Sequence, residues 1–213
     1  MKKKDYVILM ADIVASRKTQ QNKLMKMFRK ITNEINYEKK DILLSPITVT
    51  LGDEFQCVVK NVESGLELMI SIDEKKLYEL ADFKLRYVLL EGGIDTPINQ
   101  NIAYGMLGEG LTKARERLTE SKNTHNRYLF YLKNIRKSEA LMNSMIIYQS
   151  IIDDWKTDKD YPLVKKFLEL KDYKLVADDL GKTRSQIWKR ENSLNLDAYF
   201  SIKKVINYIT ETK

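Results

Sequence analysis

The chain has 213 residues, 43% of them hydrophobic, and 37 Lys and Arg against 30 Asp and Glu give a formal net charge of +7. That is enough apolar material for one large and one small cored unit, and the cationic excess favours polyanionic partners. A single cysteine, Cys57, excludes an internal disulfide framework, and a single histidine, His125, excludes a His/Cys zinc cluster. No apolar run approaches the roughly 20 residues of a membrane span, and only a short apolar stretch follows the basic start, so neither membrane insertion nor a secretory signal is expected. The reading is a cytoplasmic protein.

Tyr6 to Ile13 is an apolar run with Asp12 at its end, the pattern of a strand buried on both faces and central in its sheet. From Gln20 to Glu38, Leu24, Met27, Phe28, Ile31 and Ile35 recur at helical spacing and predict an amphipathic helix. Ile47, Val49 and Leu51 then alternate with polar residues, Gly52-Asp53 supplies a turn, and Phe55, Cys57 and Val59 alternate again, predicting a hairpin. Val62, Leu66, Met69 and Ile70 mark a second helix, and Leu85 to Glu91 a fourth strand ending at Gly92-Gly93. This is the β-α-β-β-α-β order of a ferredoxin-like sheet. Ile94 to Met106 reads as a loop, Gly108 to Lys122 as a charged helix, Arg127 to Leu132 as a further strand, and Lys137 to Trp155 as one long helix. The Asp- and Lys-rich stretch from Lys156 to Asp160, closed by Pro162, suggests a boundary. The expected division is an α/β domain over 1–135, a connecting helix over 136–157 and a small all-α domain over 158–213.

In that last part four short helices are expected, over 163–170, 175–180, 184–193 and 198–209. Ala177 allows close helix approach, Gly181 suits a left-handed turn, and Ile187 fills the gap between two helices, which is the spacing of a helix-turn-helix. Thr183 and Gln186 form a Thr-x-x-Gln capping box that starts the second helix. Its outward residues Arg184, Ser185, Gln186, Lys189, Arg190 and Asn192, with Thr183 at the cap, are types that reach base edges and phosphates in a major groove of double-stranded DNA. Trp188 reads as core.

The ferredoxin-like order places the end of the first strand beside the start of the third, so Asp12 and Asp53 come together with Glu54 next to them. Converging carboxylates are what oxygen-preferring Mg²⁺ uses when a nucleotide supplies its remaining ligands. After Asp12, the backbone N–H of Ile13, the hydroxyl of Ser16 and the guanidinium of Arg17 fall where phosphates would sit, with Gly52 in the hairpin and Arg115 on the later helix as further phosphate contacts.

Asp12 and Gly52-Asp53-Glu54-Phe55 resemble the strand-end aspartate and Gly-Asp hairpin of the palm domains of GGDEF diguanylate cyclases and class III nucleotide cyclases. More closely, Asp12-Ile13-Val14-Ala15-Ser16-Arg17, Gly52-Asp53-Glu54-Phe55-Gln56, Ala114-Arg115-Glu116, Trp155 and the terminal helices resemble the bacterial SatD family over nearly the whole length. The resemblance implies an α+β fold, a palm-like domain joined by a long helix to a helix-turn-helix. Leu51 replaces the first glycine of a GGDEF hairpin, Thr112 falls near the class III asparagine, and Arg115 and Arg117 miss the class III arginine spacing. This pattern suits binding a Mg-nucleotide without cyclising it. The leading expectation is therefore a non-catalytic, homodimeric DNA-binding regulator whose palm-like domain takes a phosphorylated ligand. The alternatives are a metal-dependent nucleotidyl cyclase and a ligand-free dimerisation platform with a DNA-binding tail.

Overall fold

The computed structural model describes residues 4–15, 21–50 and 52–211. β1 (Asp5–Ile13) is followed by α1 (Gln21–Glu38), β2 (Leu43–Val49), β3 (Glu54–Val59), α2 (Val62–Tyr78) and β4 (Leu85–Gly93). α3 (Glu109–Glu120) then leads through a 3-10 turn at Ser121–Asn123 to β5 (Tyr128–Tyr131). The sheet order is β2-β3-β1-β4-β5. β1 is antiparallel to both β3 and β4, so it is the central strand its apolar run predicts, and β5 joins β4 in parallel at the edge.

Strand alternation divides the sheet into two faces. Val7, Leu9 and Ala11 share one core cluster with Phe55, Cys57, Tyr87 and Leu89 and with Phe28, Ile31 and Leu66 from α1 and α2. Ile8 and Met10 share the other with Val58, Val88 and Leu90, beneath α3 and the loop from Ile94 to Leu107. That loop is closed at its neck by Asp95 N to Leu107 O (2.8 Å) and held on the sheet by Ala103 N to Thr48 Oγ1 (2.8 Å), with the Gln56 amide donating to the Ala103 carbonyl. α3 lies backbone to backbone on the end of β4: a Cβ on Gly110 would come 2.7 Å from the Gly92 carbonyl carbon, so both positions exclude a side chain.

α4 (Ile135–Asp154) is followed by α5 (Tyr161–Leu170), α6 (Tyr173–Asp179), α7 (Arg184–Ser193) and α8 (Leu196–Glu211). The α1/α2 cluster does not stop at the sheet. It continues through Leu141, Met145 and Tyr148 of α4 and Trp155 to Val164, Phe167, Val176, Ala177, Ile187, Tyr199 and Ile206. Aromatic contacts trace the route, Tyr87 to Tyr128 at 5.3 Å, Tyr128 to Tyr148 at 5.7 Å, Tyr148 to Tyr199 at 5.7 Å and Tyr199 to Trp155 at 5.0 Å between ring centroids. The Trp155 indole N–H donates to the Leu194 carbonyl at 2.9 Å, tying the end of α4 to the α7–α8 junction. No described helix is long and apolar enough to cross a membrane.

Candidate functional site

Asp12 belongs to the face of β1 that carries Ile8 and Met10. In the strand register it stands opposite Glu54 of β3 and Arg86 of β4, which puts an acid, an acid and a base in one row across the strand ends. Glu54 is the direct cross-strand partner of Asp12, and Asp53, the residue before it, accepts the Ile13 N–H on its carbonyl at 3.0 Å. The Asp12 carboxylate is 4% exposed; both its oxygens accept from Arg86 Nη1 at 3.1 Å, and Lys122 Nζ, reaching in from the 3-10 turn after α3, lies 3.5 Å from Oδ2. Burial pushes the Asp12 carboxyl above its ordinary range, overcoming the opposite pull of Arg86 and Lys122, and the nearby Glu54 pushes the same way. Glu54 Oε2 and Arg86 Nε are buried without a hydrogen-bond partner among the described residues.

Arg86 and Lys122 are functional candidates that only the structure brings to Asp12. A signal was present: Arg86 interrupts the apolar run from Leu85 to Leu90, and a cation inside a doubly covered strand needs a counter-charge. The backbone phosphate contact assigned to Ile13 is corrected, because its N–H is engaged with Asp53 and that of Val14 with the Lys84 carbonyl at 2.9 Å. Ser16 and Arg17 lie outside the described residues. Gly52 adopts φ +80° in the turn before β3. As for the Mg²⁺ expected at Asp12, Asp53 and Glu54, two cations already hold the central carboxylate. Among the described residues no group of three or more His, Cys, Asp or Glu is placed to hold a metal ion. With Arg86 and Lys122 both on Asp12, the central carboxylate is already neutralised and the site as it stands does not suit a divalent ion.

About two residues along β1, or some 7 Å from Asp12, the same face opens into a groove of about 380 Å³ lined by Met10, Gln56, Tyr104, Met106, Leu107, Leu111, Thr112, Arg115 and Glu116. Arg115 and Thr112 are thus on the groove wall, whereas Arg117 turns away to sit 4.9 Å over the Tyr131 ring and pair with Glu120 at 2.8 Å. The volume falls in the small-molecule range, and apolar, amide and guanidinium groups share its lining.

A second candidate surface lies at the other end of the chain. Thr183 Oγ1 accepts from Gln186 N at 3.3 Å and Gln186 Oε1 accepts from Thr183 N at 3.2 Å, the expected capping box. Gly181 adopts φ +61° in the turn, where a side chain would be strained. Ala177 and Ile187 are buried between α6 and α7, with Ile187 only 1% exposed. Thr183, Arg184, Ser185, Gln186, Lys189 and Asn192 are all exposed. Two readings need correction. Arg190 is folded back onto the protein, bonded to Asp160 at 2.5 Å and Ser193 at 3.1 Å, and Trp188, read as core, is 51% exposed.

Among solved structures, the chain is similar to a bacterial light-regulated adenylyl cyclase at 14% identity and a TM-score of 0.45, over 61% of this chain and 44% of that one. The match therefore spans less than half of that cyclase's length. It is similar to the adenylyl cyclase CyaB from P. aeruginosa at 9% identity and a TM-score of 0.40, over 56% and 73% of the two chains. It is similar also to a regulator of polyketide synthase expression from Bifidobacterium adolescentis, at 12% identity and a TM-score of 0.31 over 98% and 82%. No curated protein sequence matches it. Residues 6–210, nearly the whole sequence, match the SatD family, and the chain belongs to that family.

Proposed function

We propose that this chain is a DNA-binding regulator in which α6 and α7 form a helix-turn-helix, α7 enters the major groove of double-stranded DNA, and the sheet carries a site for a nucleotide or another phosphorylated ligand. The observation that carries the DNA reading is the construction of α7. One buried apolar residue, Ile187, anchors the helix, while Thr183, Arg184, Ser185, Gln186, Lys189 and Asn192 stand exposed around the rest of its surface. Such types contact phosphates and base edges. Arg184 pairs with Asp178 at 3.7 Å with both side chains mostly exposed, an interaction worth too little to withhold it from a phosphate. A two-fold operator would be bound by a homodimer, and the cytoplasm is the compartment in which such a regulator works.

The experiment is binding of the full chain to mixed genomic fragments, followed by fluorescence anisotropy across a salt series. Each lysine–phosphate contact contributes a slope of about 0.9 in log K against log salt, so Lys189→Ala is expected to weaken binding and flatten the slope by about one contact. Arg190→Ala is expected to change stability more than slope. Absence of DNA binding at low salt, or binding indifferent to changes in α7, would overturn the reading. For the sheet site, nucleotides are screened by thermal shift; a rise of a few degrees that Arg115→Ala removes supports the groove as the ligand's seat.

A further inference from the structure

We propose that Lys122 is a resident cation standing where a divalent metal would otherwise join the strand-end carboxylates. The site is then metal-free by construction and becomes a metal site when that ammonium is removed. The row holds two acids, Asp12 and Glu54, and receives two bases, Arg86 and Lys122. Within that row, Asp12 faces two bases while Lys122 is present and one without it. Arg86 is fixed: it is 7% exposed, lies within β4, and places one nitrogen across both Asp12 oxygens. Lys122 is different in kind. Its side chain is 51% exposed, it arrives from a turn, and its Nζ lies 3.5 Å from Oδ2, an ion pair longer than a well-formed hydrogen bond.

Removing the ammonium leaves Asp12 Oδ2 with one of its two counter-charges, beside Glu54 Oε2, which is buried with no partner among the described residues. Two carboxylates directly opposite each other on neighbouring strands, their Cβ atoms about 5 Å apart, supply the hard oxygen donors that Mg²⁺ and Mn²⁺ take, water completing the shell. Because the Lys122 stem is exposed, its loss removes charge without opening the core. The inference stands apart from the DNA reading. Its consequence for the ligand reading is that a nucleotide would bind with or without Mg²⁺; if no nucleotide binds, that reading falls and the metal test below is untouched.

The test is a Mn²⁺ titration followed by electron paramagnetic resonance on the full-length protein, Lys122→Ala, Lys122→Met and Lys122→Ala/Glu54→Gln, each checked by thermal melting. The wild type is expected to show no saturable binding up to about 1 mM, the weak end of oxygen-donor sites. Both single variants are expected to bind at least about tenfold more tightly, and Glu54→Gln to return the Ala variant to the wild-type level. Wild-type binding as tight as that of the variants would overturn the proposal, as would folded single variants that gain nothing.

Discussion

Asp73 of α2 is 5% exposed, yet it gathers three donors: Tyr128 OH at 2.5 Å, Tyr87 OH at 3.2 Å and Lys76 Nζ at 3.2 Å. Burial holds the Lys76 ammonium below its ordinary range, with Asp73 pulling it back up. Asp73→Ala would leave that buried cation without its counter-charge, and a loss of about 3–5 kcal/mol in urea unfolding is expected. Adding Lys76→Met should recover a large part of it, because the uncompensated charge goes too; a double variant no better than the single would show that the tyrosine hydrogen bonds carry the cost. Asp12 gives a pH-dependent counterpart. Its folded pKa is raised, so the stability it contributes is full below the unfolded value, about 3.9, and is lost as pH rises through the folded one. Lys122→Ala removes a force that lowers that pKa. The variant should therefore be less stable than wild type at neutral pH and equal to it below about pH 3.9, where Asp12 is protonated in both states. At this scale the sequence was partly legible. Strand order brings Asp12 to the Asp53-Glu54 turn, but Lys122 is 110 positions from its partner and nothing local announces the pairing.

The elements themselves were easier to read, because each rests on local pattern. The apolar run of β1, the period-two alternation of the hairpin strands and the 3.6 period of α1 lead to the β-α-β-β-α-β start, and the helix boundaries differ by no more than a few residues. α7 was legible to the residue, since a capping box and a left-handed glycine are local devices. Thr183→Ala removes the side-chain acceptor for Gln186 N, and a loss of about 1 kcal/mol is expected in urea unfolding. DNA affinity should fall with it only to the extent that α7 frays, a relation that circular dichroism of the same variant would check. What local pattern could not show is which side chains of α7 the body of the protein claims. Arg190 looked outward by spacing, but Asp160, at the start of α5, turns it inward. Trp188, on the next position after the buried anchor, is 51% exposed.

For the whole molecule, the decisive fact is that the apolar cluster under α1 and α2 is continuous with the one that holds α5 to α8. Composition around Lys156 to Asp160 suggested a joint, and there is one in the chain path, but the packing crosses it. Tyr148 and Tyr199 are fully buried against each other, and Tyr199 and Lys203 of α8 both reach Glu74 of α2. Asp153, at the end of α4, binds Arg127 at 2.6 Å and Lys84 at 3.1 Å, so charged contacts tie the same junction to the sheet. Elements that share one core lose their cover together. Unfolding should then be a single transition in which Trp155 fluorescence, buried at the junction, and far-ultraviolet circular dichroism from all the helices coincide in midpoint. Tyr199→Ala, which empties the centre of the shared cluster, should cost about 3–5 kcal/mol and move both signals together. If the helices of α5 to α8 melted first while the sheet signal held, the C-terminal part would be an independent unit. Its placement relative to the sheet would then be open to control by a ligand. If the two signals move as one, a ligand in the Arg115 groove can reach α7 only by stabilising the molecule as a whole or by acting between copies of it.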